Sequence, residues 1–67
     1  MIRFEFSDEY QQYRYYVTLK DVGDLKHMIL EVEYHGPKFP DALRSKTELF
    51  MNKSEWKNFR DIINAIV

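Results

Sequence analysis

Residues 49–63, LFMNKSEWKNFRDII, hold a change of period, and that change decides the fold. Up to Met51 the chain is an apolar run of extended type. From Trp56 onward the apolar residues Trp56, Phe59, Ile62, Ile63 and Ile66 recur at helical spacing. Asn52 sits where an N-cap belongs, and Glu55, three residues later, supplies the reciprocal half of a capping box. Met51 and Trp56 hold the two positions of a hydrophobic staple. A helix is therefore expected from about residue 53 to the C-terminus, its apolar stripe laid on whatever precedes it.

Working back from this junction, three earlier segments alternate at period two. Ile2 to Ser7 reads as a strand with Ile2, Phe4 and Phe6 inward. Tyr13 to Lys20 turns Tyr13, Tyr15, Val17 and Leu19 to the same side, with Arg14, Tyr16, Thr18 and Lys20 opposite. His27 to His35 adds Met28, Leu30, Val32 and Tyr34. Asp21-Val22-Gly23-Asp24 is expected to be a turn, Gly23 taking positive φ. Two prolines keep residues 36–45 out of a central strand, and Lys46 to Met51 makes a fourth strand. The expected order is ββββα: an α+β domain, residues 1–67, in which one C-terminal helix packs on one face of a four-stranded antiparallel meander.

Composition bounds the function. A chain of 67 residues buries only ~60% of its unfolded surface, so its core is thin without disulfides, metal or assembly. It has no cysteine, which removes disulfides and thiolate metal sites and suits the cytoplasm. The opening MIRFEF is not a secretory signal, and no apolar run approaches the ~20 residues of a membrane span. Five Tyr, five Phe and one Trp argue against disorder. Residues 1–35 carry four cations against seven anions, and residues 36–67 six against four. The net charge of −1 is unlike the strong basicity of duplex binders, so any electrostatic footprint must be local.

No catalytic arrangement stands out. Ser7, Ser45 and Ser54 lack a nucleophile-elbow setting, and Gly23 and Gly36 stand alone, so no phosphate loop is present. His27, Glu31, Glu33 and His35 share one strand face, but spacing specifies no third metal ligand beside Glu33 and His35, and a solvated face accounts for them. The expectation is a protein that is not an enzyme and has no metal or cofactor. Single-strand nucleic-acid binding has more support, since it needs basic residues beside aromatic platforms. Arg14, Tyr16 and Lys20 on the outer sheet face, with Lys38, Phe39, Arg44 and Lys46 in or beside the proline-containing loop, are the candidates. Glu5, Glu31 and Glu33 on the same face oppose it.

The segments YYVTLKD and MILEVEYHG, the proline-containing loop, and KTELFMNKSEW before a terminal helix resemble the positive-cofactor family of transcriptional coactivators, over residues 13–67. The resemblance implies a ββββα core, homodimers whose helices and sheet edges meet, and single-stranded DNA crossing the sheets. Lys20 and Lys46 fall at basic positions of that pattern. Thr47-Glu48 stand in place of the family's basic-glycine pair, and Glu33 in place of a basic residue, so the fold-bearing residues match better than the DNA-bearing ones. Two functions are thus expected to compete. One is a homodimeric binding module for single-stranded nucleic acid. The other is a protein-binding inhibitor or regulator of the mobile-element or phage type, acting through Glu31, Glu33 and His35 or through an exposed sheet edge.

Overall fold

Alternating apolar and polar residues form four antiparallel strands, β1 (Ile2–Ser7), β2 (Tyr13–Val22), β3 (Leu25–Tyr34) and β4 (Leu43–Met51), followed by α1 (Lys53–Ile66). The structure is a computed structural model and describes residues 1–37 and 43–67, without the side chain of Leu43. The strands lie in chain order in one sheet, and α1 packs against β3 and β4. The expected ββββα architecture is the one found.

The register gives each face its composition. On one face, Ile2, Leu19, Met28 and Leu49 form a row across the sheet, and Phe4, Val17, Leu30 and Thr47 the next. Phe6, Tyr15, Val32 and Ser45 form a third, and Tyr13 and Tyr34 extend it at the far end. Ring contacts tie this end together, Phe6 stacked on Tyr15 at 5.0 Å and Tyr13 tilted by 55° against Tyr34 at 5.1 Å between centroids.

Strands two and three are longer than the alternation suggested, because the connecting turn is tighter. Val22 pairs with Leu25, leaving Gly23-Asp24 as a two-residue hairpin loop. Gly23 alone of the pair has positive φ, 59°, the arrangement of a type II′ turn, whose twist matches that of the strands. The β1–β2 connection uses a different device. Asp8 Oδ1 accepts the backbone N–H groups of Gln12 and Tyr13, both at 2.8 Å, while Gln11 takes φ 60°. These N–H groups, that of Tyr13 foremost, hold the Asp8 carboxyl below its ordinary pKa. Beyond β3, the ring of Tyr34 lies over Gly36, where any Cβ would run into it, so glycine is needed there for close approach.

The helix starts as expected. Asn52 Oδ1 accepts the Glu55 N–H at 2.9 Å, and the Asn52 N–H donates to Glu55 Oε1 at 3.0 Å. Trp56 stacks on Phe59 at 6.0 Å, and both are half-buried. The expectation that the whole stripe closes the core is corrected: Ile62, Ile63 and Ile66 are exposed. So is the β1 contribution to the inner face, with Ile2, Phe4 and Phe6 exposed by 54, 61 and 55%. Strand spacing gives the reason. β1 lies three strands, about 14 Å, from the β4 edge that delivers α1, and a helix ~10 Å across covers about two strands. Met28, on β3 and 7% exposed, is the one large apolar side chain buried among the described residues. No helix among them is long and apolar enough to cross a membrane.

Removing the cap by Asn52→Ala should cost about 1 kcal/mol of stability. Trp56→Ala should cost about half of the ~3–5 kcal/mol of a fully buried aromatic, because Trp56 is only half-buried. Urea unfolding at fixed protein concentration, followed by far-UV circular dichroism, measures both.

Candidate interaction surface

The second sheet face holds the polar residues of all four strands, and the register decides which of them meet. Ser7, Arg14, Glu33 and Arg44 form one row, and Glu5, Tyr16, Glu31 and Lys46 the next. Arg3, Thr18, Ile29 and Glu48 follow, then Lys20, His27 and Phe50. Cations and carboxylates therefore oppose one another across the strands, while like charges neighbour each other along them, Glu31 and Glu33 on β3 and Arg44 and Lys46 on β4. Five cations (Arg3, Arg14, Lys20, Arg44, Lys46) are interleaved with four carboxylates (Glu5, Glu31, Glu33, Glu48).

Glu33 is the centre of this lattice. Its side chain is 13% exposed and accepts a 2.6 Å bond from Arg44 Nη2. The Tyr16 hydroxyl donates to the same carboxylate, and His35 Nε2 lies 3.8 Å from Glu33 Oε1. The Tyr16 hydroxyl, then the Arg44 guanidinium, lowers the pKa of Glu33. Reciprocally, the bond to Glu33 raises the pKa of Tyr16 and that of Arg44. Arg14 Nη1 lies 3.6 Å from Glu5 Oε1, and Lys46 Nζ 3.5 Å from Glu48 Oε1.

The candidates proposed for two competing ligands thus occupy one face and largely satisfy one another. Arg14, Tyr16, Arg44 and Lys46, expected for nucleic acid, are engaged by carboxylates. Glu33 and His35, expected for a protein partner, are the groups that engage two of them and each other. Lys20 makes no ion pair among the described residues. Glu31 stands between Tyr16 and Lys46 across the strands. Lys38 and Phe39 lie outside the described residues.

Sequence reasoning passed over Arg3, whose guanidinium carbon lies 4.9 Å from the Tyr16 ring centroid. The alternation of the first strand already put it on this face. His27 is also corrected: it is buried against Phe50, rings stacked at 4.1 Å and 13°, rather than standing in a solvated row. Among the described residues its Nε2 has no hydrogen-bond partner, and it lies 3.5 Å from Glu48 Oε1. Among the described residues, no three His, Asp or Glu side chains are placed to hold a metal ion.

A shallow hollow of about 200 Å³ opens where the two faces meet, lined by Tyr13, Val32, Tyr34, Arg44 and Ser45. Among the described residues its lining offers the Ser45 hydroxyl with no carboxylate or imidazole beside it.

Because the Glu33 pKa is depressed in the fold, its contribution to stability is present above the ordinary carboxylate range, near pH 4.5. That contribution is lost as pH falls through the folded-state value. Glu33→Gln should therefore flatten the acid limb of stability against pH below that range and leave the slope near neutrality unchanged, as read by urea midpoints across a pH series. Compared with known protein families, with curated proteins and with solved structures, the chain finds no match in any of the three.

Proposed function

We propose that this chain is a non-enzymatic, cytoplasmic protein-binding module that works as a homodimer, its charged face left open to a partner. The observation that carries this is surface left uncovered. A compact protein of 8.2 kDa exposes about 4,500 Å², whereas this chain exposes 5,523 Å². The excess, roughly 1,000 Å², is of the size that one partner contributes to a specific interface. It coincides with two apolar patches, Ile2-Phe4-Phe6 on β1 and Ile62-Ile63-Ile66 on α1, which monomeric proteins seldom leave in water. The radius of gyration, 14.4 Å, against about 11 Å for a compact chain of this length, supports the same reading. The charged face, with its signs interleaved, suits register-specific recognition of a protein surface better than attraction to a uniform polyanion.

Single-stranded nucleic acid is the second reading. It is supported by the coactivator-like strand and helix pattern and by Tyr16 lying near Arg3 and Arg14. On the protein-binding reading, an oligothymidine should bind weakly or not at all at 50 mM salt. Binding with a log–log salt slope near −0.7 per contacted phosphate would favour nucleic acid instead. Sedimentation equilibrium should return twice the 8.2 kDa chain mass at micromolar concentration. A single-chain mass at hundreds of micromolar would overturn the homodimer.

A further inference from the structure

β1 is an edge strand, hydrogen-bonded to β2 on one side alone, and it lacks the usual protection of an edge. It contains no proline and no lysine. Its register with β2 runs one-to-one from Ile2–Leu19 to Ser7–Arg14, without a bulge. All six residues are exposed. An aromatic edge without proline, lysine or a bulge is a template for another strand.

The sequence of that strand selects the partner. When two copies pair antiparallel about a two-fold axis, directly opposed residues share a face, and one position must oppose itself. An axis through Arg3 or through Glu5 sets like charges against each other. An axis between residues joins the apolar face of one copy to the charged face of the other, because a one-residue slip turns every side chain over. An axis through Phe4 meets neither objection. It sets Arg3 opposite the partner's Glu5, and Ile2 opposite the partner's Phe6, each pair made twice by symmetry, with the two Phe4 rings meeting at the axis.

The other edge carries the same order of charge in Lys46-Thr47-Glu48, but not the same content. Its apolar-face positions there are Ser45 and Thr47, and Lys46 is already paired with Glu48 at 3.5 Å. Lysine and polar residues are the means by which edges are kept single.

We infer that a second copy of this chain docks on the free edge of β1 in antiparallel register centred on Phe4, joining two four-stranded sheets into one of eight strands. The inference rests on the homodimer reading and specifies its strand contact, with the Ile62-Ile63-Ile66 patch of α1 lying outside that contact. Arg3 and Glu5, which border Tyr16 and Arg14 within one chain, then form the central rows of a continuous charged face. On the other side, the two Ile2-Phe4-Phe6 rows lie side by side, opposed Cβ atoms about 5 Å apart, and shield each other's flanks from water.

Charge reversal tests the register. Arg3→Glu and Glu5→Arg, each made alone and confirmed as folded by circular dichroism, should weaken self-association at least roughly tenfold, as two attractive pairs become repulsive. Mixed together, the two variants should recover the dimer mass, because each then meets the opposite sign at both positions. The double variant R3E/E5R should also dimerise. A second measurement leaves the charges untouched. Under mild oxidation, F4C should form a disulfide-linked dimer, while T47C, at the matching position of the other edge, should not. A wild-type chain that stays single overturns the homodimer reading and this inference with it. A dimer insensitive to both reversals, or one in which T47C cross-links and F4C does not, overturns the β1 edge alone.

Discussion

The reach of one helix governs the rest of this structure. A four-stranded sheet presents an apolar face about 14 Å from first strand to last, and the chain supplies a single helix, delivered at the β4 edge. The helix seats Trp56 and Phe59 and reaches β3 and β4, where Met28 is buried. It does not reach β1 or β2. The strand rows there remain correctly patterned, with Phe4 beside Val17 and Leu30, yet the outermost of them faces water. Local sequence and global packing part at this boundary and again along Ile62, Ile63 and Ile66 of α1, and such places are where a second body belongs.

The charged face follows from the same register. Once Phe4 pairs with Val17 and Val17 with Leu30, the intervening residues have no freedom of neighbour. Glu33 must lie between Arg14 and Arg44, and Glu31 between Tyr16 and Lys46. The result is a face whose charges are mutually compensated, most completely at Glu33, where a guanidinium and a phenol share one nearly buried carboxylate. Isolated exposed pairs of this sort contribute little stability, but a network with one nearly buried member is held more firmly. That arrangement gives the surface a specific pattern of sign rather than a net field, and any partner must match the pattern.

Three turn devices keep this register in place. Asp8 gathers the N–H groups of the first connection, Gly23 supplies the positive φ of the second, and Gly36 lets the Tyr34 ring lie against the chain as it leaves β3. The N–H of His35 also donates to the carbonyl of Gln12 at 2.6 Å, which ties the end of β3 back to the start of β2. None of these residues contributes much apolar area. Their role is to prevent slippage, which in a sheet would exchange the two faces entirely.

Four strands, their faces, the cap and the helix are legible in the residue pattern, because each depends on interactions within a few residues. Period two sorts Ile2, Phe4 and Phe6 from Arg3 and Glu5, and Asn52 with Glu55 marks a helix start wherever they occur together. Membership of the charged face was legible for Arg14, Tyr16, Glu31 and Glu33, but not for Arg44, which the two prolines suggest lies in the loop and which β4, beginning at Leu43, brings onto the face. Which of them pair was not legible, since the Glu33–Arg44 bond joins residues in different strands and depends on cross-strand register. Nor was the burial of His27, which rests on Phe50 from the neighbouring strand. Most of all, an inward pattern does not guarantee an interior. Periodicity reports which side of a strand is apolar, and only the tertiary structure decides whether anything lies against it.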